Sequence, residues 1–256
     1  MIGNDTHVRN NRTRWNEISD DYQRFNAPQI REQAFTGDIT WGVWGIPESR
    51  LNILGHVVGL DVLEMGCGGS QWSTALARRG ARPVGLDLSE RQLHHSRTLQ
   101  RETGLDFPLV QASAEDVPFA NGTFDIVFAD HGAFSFADPY RAIPEAARIL
   151  RPGGLLAFGH VSPIYEISIA DGAEAAGDRL VGDYFGLRLI SDTDGLVSAN
   201  LPYGAWIRLF RDSGLLVEDL VEPQPESGPG GSHRDSAEEA WARRWPSECI
   251  WKVRRA

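Results

Sequence analysis

The chain has 256 residues, enough to bury a substantial core, and 41% of them are hydrophobic, eight of them Trp, which argues for a packed globular protein and against disorder. Its formal net charge of −10 weighs against a polyanionic partner such as nucleic acid, and the short pairs Arg78-Arg79, Arg243-Arg244 and Arg254-Arg255 read as solvated helix ends and a terminus. Cys67 and Cys249 make neither a disulfide framework nor a zinc spacing, and no apolar run is long enough to span a bilayer.

In chain order, residues 1–60 carry helical patterns and a Gly/Trp-rich stretch, Thr40 to Gly45. Trp15, Ile18, Tyr22 and Phe25 recur at helical spacing, so most of that stripe is expected in the core. Asp61 to Met65 reads as a strand, and Gly66-Cys67-Gly68-Gly69 as a tight turn. Ser70 is expected to cap a helix that runs through Ala77 and ends at Gly80. Pro83 to Asp87 is the second strand. Ser89 and Gln92 form a capping box for a helix that Gly104 terminates. Phe107 to Ala112 and Phe124 to Ala129 are the third and fourth strands.

Asp138-Pro139 opens a helix with Ile143, Ala147 and Leu150 on one face, in which Pro144 predicts a kink. Arg151 to Gly154 ends it, and Leu155 to Gly159 is the fifth strand. Residues 161–200 break the rhythm. A helix at Tyr203–Ser213, a strand at Leu215–Val221, a Pro/Gly/Ser loop at 223–232 and a last strand at Ile250–Val253 follow. The alternation predicts an α/β fold: a doubly wound, Rossmann-like, seven-stranded sheet with an antiparallel last strand, a helical N-terminal lid and an insertion after strand 5. We read one domain over 1–256. It comprises a lid (1–60), a ligand-binding core (61–160), a substrate cap (161–200) and C-terminal helices and strands (201–256).

A glycine pair straight after a buried strand lets the backbone approach a ligand that any Cβ would block, and Asp87, about twenty residues on, can accept ribose hydroxyls. A dinucleotide site would ask for a third glycine where Gln71 stands, and a nucleoside without phosphates does not. Five ordered segments, Glu64 to Gly68, Asp87, Ser113 to Phe119, Phe124 to Phe128 and Arg148 to Gly154, resemble the motifs of the class I S-adenosylmethionine-dependent methyltransferases. Ser113 departs from the acidic residue usual in the third motif.

The resemblance implies S-adenosyl-L-methionine as cofactor and S-adenosyl-L-homocysteine as product. It places Gly66 and Gly68 beneath the methionyl part, Glu64 in the strand before them and Asp87 on the ribose. Leu88 falls on the adenine face, Ala114 and Glu115 near its edge, Asp130 near the amino group, and Tyr22 at the methionyl end. His131, just past the fourth strand, is the candidate general base. Trp41, Trp44, Phe134, His160, Tyr184 and Phe185 are candidate substrate contacts, and no metal is called for.

The expected activity is methylation of an O or N, with C a third choice, of a small aromatic or apolar metabolite. The alternative is a fold relative that binds the same cofactor and catalyses a non-methylating reaction such as cyclisation. A small-molecule acceptor, no nucleic acid, no membrane, a monomer or homodimer and a cytoplasmic location complete the expectation.

Overall fold

The computed structural model describes residues 6–170, 172–173, 175–225 and 236–256; most of the 223–232 loop expected from the sequence lies outside them. The elements run α1 (Thr6–Thr36), β1 (Thr40–Trp41), β2 (Ile46–Pro47), α2 (Glu48–Leu51), β3 (Asp61–Met65), α3 (Gln71–Arg78), β4 (Arg82–Asp87), α4 (Glu90–Thr103), β5 (Leu109–Gln111) and β6 (Phe124–Asp130). They continue with α5 (Pro139–Ile149), β7 (Leu150–Val161), α6 (Pro163–Glu166), β8 (Leu189–Ser191), β9 (Val197–Ala199), α7 (Tyr203–Asp212), β10 (Leu215–Val221), α8 (Ser236–Ala242) and β11 (Glu248–Arg255).

Among the described residues the main sheet has seven strands in the order β10-β11-β7-β6-β3-β4-β5. β3 to β7 are parallel, whereas β11 runs antiparallel between β7 and β10. From β3 the chain winds outward to β4 and β5, then returns to β6 on β3's other side. That reversal opens a crevice beyond the carboxyl ends of β3 and β6, where ligands of doubly wound sheets bind. One face of the sheet is covered by α5 and α7, around Phe158, Trp206, Phe210 and Trp251. The other is covered by α3 and the β1 segment, where Trp41, Trp72 and Phe128 pack edge-on or tilted.

Local sequence rules explain several boundaries. The Ser89 hydroxyl accepts the Gln92 amide and Gly104 ends α4 at φ +69°. Asp138 accepts the Tyr140 amide and Pro139 opens α5, which runs unbroken through Pro144 to Ile149. Ser70 departs from expectation. It adopts φ +59° and its side chain caps nothing, because the turn's own Ser70 amide to Cys67 carbonyl bond sets its conformation. β7 begins at Leu150 and takes in the Arg151–Gly154 segment expected as a turn, with a register irregularity opposite Phe124 to Ile126.

The N-terminal stripe also lies elsewhere than its periodicity predicts. α1 is one 31-residue helix in which Tyr22 and Phe25 are exposed, and Trp15 and Tyr22 meet edge-on facing the crevice. The helix is polar and is docked by polar contacts. Asn11, buried, donates to the Val197 and Phe136 carbonyls (2.9 and 3.0 Å) and accepts from the Val197 amide (2.8 Å), in effect adding one rung to β9. Gln23 donates to Gln92 (2.7 Å), and Arg91 pairs with Asp20 through two 2.6 Å bonds.

Asn11→Ala would strand these buried backbone groups, at a cost of about 1–3 kcal/mol. Limited proteolysis should then cut within residues 6–36 faster than in the wild type while the rest of the chain stays protected.

Candidate functional site

The crevice is a cleft of about 880 Å³, its open mouth included, walled by the ends of β3, β4 and β6 and roofed by α1. Its floor is the turn after β3. Gly66 (φ +76°) lies directly under the loop after β6, so that a Cβ there would collide with the Ala133 backbone nitrogen. Any other residue at Gly66 would force the two loops apart. Gly68 (φ +52°) exposes its amide, which donates to Asp87 Oδ2 at 2.8 Å.

Asp87 closes β4. The Ser89 amide donates to its Oδ1 (2.8 Å), so each carboxylate oxygen is fixed by a backbone donor. Burial pushes its pKa up to about 6 against the opposing pull of the Ser89, Gly68 and Leu88 amides. Glu64 is buried below it and accepts both the amide and the hydroxyl of Ser73 (2.9 and 2.5 Å). Desolvation, with smaller contributions from the Asp87 and Asp130 charges, raises Glu64 to about 8. Asp130, at the end of β6, accepts the Gly42 amide through both oxygens (3.0 and 3.1 Å). Burial, and then the charge of Glu248, lifts it to about 6 against the pull of His131. Three carboxyl groups thus converge on one cleft, and burial opposes the charged form of each, so that near neutral pH Asp87 and Asp130 carry the charge while Glu64 keeps its proton. Such a cleft favours a cation and disfavours a pyrophosphate.

Leu88, Ala114 and Glu115 line the cleft at the end toward β4 and β5. The Glu115 carboxylate is tied to the Asp138 amide (2.8 Å), to His7 of α1 (2.5 Å) and to Arg141 (2.9 Å), and Ser113 accepts the Glu115 amide (3.2 Å). Tyr22 faces the same space from α1. Among the lining residues that sequence reasoning did not select for it are Asn11, Trp15, Gln71 and Phe136. The helical stripe containing Trp15 was a usable signal, but its direction was not.

His131 lies at the cleft's far end. It has φ +48°, an uncommon conformation for a residue with a Cβ, held by its amide's bond to the Gly159 carbonyl (2.9 Å). Its Nε2 lies 2.8 Å from Oε2 of Glu248, a buried residue at the start of β11. The Val43 amide donates to the same oxygen (3.0 Å). Glu248 was missed. It stands 117 positions from His131, and the acid that opens an apolar strand was the one local hint.

Five candidate substrate contacts belong elsewhere. Trp41 is fully buried, donates to Glu48 (2.6 Å) and packs on Trp72, because the Gly-rich stretch is a β1–β2 hairpin and not a flexible cover. Phe134 is buried against Phe158. His160 is buried between Phe158 and Trp206 beside Cys249, and burial lowers its pKa to about 3, so it remains neutral filling. Tyr184 accepts the Tyr203 amide on an outer groove, and Phe185 is 88% exposed there. Trp44 stays near His131, in a small pocket adjoining it.

A family model described as a methyltransferase domain matches residues 63–158. The chain is 36% identical over 114 residues to the sarcosine/dimethylglycine N-methyltransferase of Halorhodospira halochloris, which covers 43% of this chain and 41% of that protein. It is 30% identical to the ubiquinone biosynthesis O-methyltransferase of Stutzerimonas stutzeri, over 64% of this chain and 68% of the relative. It thus spans less than half the length of the first and about two thirds of the second. The solved S-adenosylmethionine-dependent methyltransferase of Mesorhizobium loti shares its fold, with a TM-score of 0.68 at 24% identity over 84% of this chain and all of that one.

The raised carboxyl groups have a consequence for stability. A carboxyl group whose folded pKa lies above its unfolded value binds its proton more tightly when folded, so stability falls as pH rises through the gap. For Glu64 that window runs from 4.5 to about 8. The ligand-free protein should therefore lose stability between pH 5 and 8 in denaturant melts. Glu64→Gln should flatten the slope and stabilise the protein at pH 8 by roughly 1–4 kcal/mol.

Proposed function

Because the chain belongs to the class I S-adenosylmethionine-dependent methyltransferases, we propose that it methylates an oxygen or nitrogen, with carbon a third possibility, of a small aromatic or apolar metabolite. The observation that carries this reading is the Asp87 carboxylate, fixed by the Gly68 and Ser89 amides beside a glycine turn at the mouth of the cleft. That arrangement fits a ribose diol.

The remaining residues fit the cofactor as well. Gly66 and Gly68 leave bare backbone under the methionyl part, and Leu88 and Ala114 offer an apolar bed for adenine. Asp130 and the buried Gln71 Oε1, which has no hydrogen-bond partner among the described residues, supply acceptors for an ammonium group. Ser113 in place of an acid leaves a neutral partner near the adenine edge, with a weaker hydrogen bond than a carboxylate would make. When bound, S-adenosylmethionine supplies a methyl group on a positively charged sulfur, and the Asp87 and Asp130 carboxylates favour that charge.

The protein's tasks are then to align the acceptor, exclude water and take up a proton. Alignment is worth ~7–11 kcal/mol in well-oriented systems, and a base adds ~10²–10⁴-fold. His131 takes the second role. With Glu248 accepting at Nε2, the neutral ring's basic atom is Nδ1, and the buried carboxylate steadies the imidazolium that forms. In this reading the whole chain is one domain, with α1 as its lid. Among the described residues no helix is long and apolar enough to cross a membrane. A cytoplasmic monomer or homodimer acting on a free metabolite is the setting we propose.

Incubation with donor labelled in the methyl group and a metabolite panel tests the reaction. Label in a small product whose mass has grown by one methyl supports it. Label confined to protein or RNA, or product formed without S-adenosylhomocysteine, refutes it. Asp87→Ala should weaken S-adenosylhomocysteine binding by ~1–3 kcal/mol in calorimetry. Wild-type affinity should also fall as pH drops through about 6, where the Asp87 carboxylate takes up its proton. His131→Ala should lower turnover by ~10²–10⁴-fold with cofactor affinity retained; normal turnover across pH would remove His131 from the mechanism.

A further inference from the structure

One residue of the β1–β2 turn touches both of the acids that flank His131. The Gly42 amide donates to both oxygens of Asp130 (3.0 and 3.1 Å), and the next amide, that of Val43, donates to Oε2 of Glu248 (3.0 Å). The same Glu248 oxygen lies 2.8 Å from Nε2 of His131. Gly42 has φ +67°, and a Cβ built on it would fall inside the Glu248 carboxyl group. The carboxyl group therefore occupies the room that a side chain at position 42 would need.

The hairpin itself cannot easily give way, because it is fastened on both sides of the turn. Gln33 donates to the Thr40 hydroxyl (2.9 Å), the Trp41 indole to Glu48 (2.6 Å) and the Trp44 indole to the Ser247 hydroxyl (2.8 Å). Trp41 is fully buried as well. The Glu248 carboxyl group, by contrast, is the far end of a flexible side chain. A side chain at position 42 would be accommodated by turning that carboxyl group away, and the acceptor of His131 Nε2 would go with it. The loss then falls on the imidazole and not on the fold.

That loss matters because the bond made by one ring nitrogen decides which state the other adopts. With Nε2–H held by Glu248, the neutral ring presents Nδ1 as its basic atom; without the acceptor, both tautomers and other ring orientations become accessible. Other titratable groups also face the ring: Asp130 at the end of its own strand, His160 from β7, Glu238 from α8, and Tyr22 from α1 across the cleft. None of these is displaced by a Cβ at position 42.

We propose that Gly42 is a positioning residue for His131, required as glycine so that the Glu248 carboxylate can sit against the turn and fix the imidazole. The proposal rests on the methyltransferase reading, in that it takes His131 to be the base of that reaction.

Ring-nitrogen magnetic resonance on the full chain with isotope-labelled histidine tests it, the His131 signals being those lost in His131→Gln. In the wild type the neutral ring should carry its proton on Nε2. Gly42→Ala keeps the amide for Asp130 and should still melt cooperatively. Its His131 should be a mixture of tautomers with proton affinity lowered roughly tenfold, since a carboxylate has left the imidazolium. Glu248→Gln keeps the shape without the charge and should lower that affinity by a similar factor. Added to Glu248→Gln, Gly42→Ala should change it no further, which separates action through Glu248 from mere distortion of the turn. If Gly42→Ala alone does not fold, the shorter acid in Gly42→Ala/Glu248→Asp should restore a folded protein, because it vacates the contested room.

A wild-type ring protonated on Nδ1, a Gly42→Ala ring like the wild type, an equal loss from Gly42→Ala in both backgrounds, or failure of the shorter acid to restore folding would each overturn the proposal. Calorimetry of the wild type with S-adenosylhomocysteine is a separate measurement. No binding there would strike the methyltransferase reading while the His131 signature still stood.

Discussion

Keeping three carboxyl groups in one poorly solvated cleft is the constraint around which the site is organised. Glu64, Asp87 and Asp130 come from the ends of three strands, and burial raises each of them. A chain optimised for stability alone would place apolar residues there. Backbone amides of Gly42, Gly68, Ser73 and Ser89 offset part of the cost without neutralising it. What remains is an electrostatic demand for a cation. A sulfonium nucleoside meets that demand, whereas a dinucleotide would worsen it.

The backbone around the carboxylates is correspondingly tight. The turn at Gly66 and the loop at Gly132-Ala133 approach too closely for a Cβ on either glycine, and His131, just before that loop, has positive φ. Strain held at neighbouring positions is a common mark of a functional site. Here it has a visible purpose. The strained loop delivers the imidazole to the boundary between the cleft and the smaller pocket, while Glu248 holds its far nitrogen.

The roof and the rear wall are built differently from the floor. α1 is docked through Asn11, Gln23 and the Asp20–Arg91 pair, and few of its apolar residues are buried. Polar docking leaves Trp15 and Tyr22 facing the ligand space. At the rear, the antiparallel insertion of β11 beside β7 brings Glu248, near the chain's C-terminal end, against the loop after β6. Floor, roof and rear wall therefore come from three distant parts of the chain.

The floor was legible in the amino-acid sequence because its determinants are local. A strand, a glycine turn, a second strand and an acid follow within about twenty-five residues, and each obeys a short-range rule of backbone sterics or capping. The capping at Ser89 and Asp138 and the order of the strands follow from the same rules. The roof and the side of the crevice toward His131 were not legible. Periodicity states that Trp15 and Tyr22 share a helix face but not what that face meets, and a Gly/Trp-rich stretch reads alike as flexible cover or buried hairpin. Trp41, Phe134 and His160 are core because the sheet closes over them, and Trp44 and Glu248 reach His131 because β11 slots in against chain order. Those outcomes depend on contacts between elements well separated in the chain, up to 117 positions for His131 and Glu248 and 203 for Trp44 and Ser247, whose free energy exists only once the whole sheet has packed.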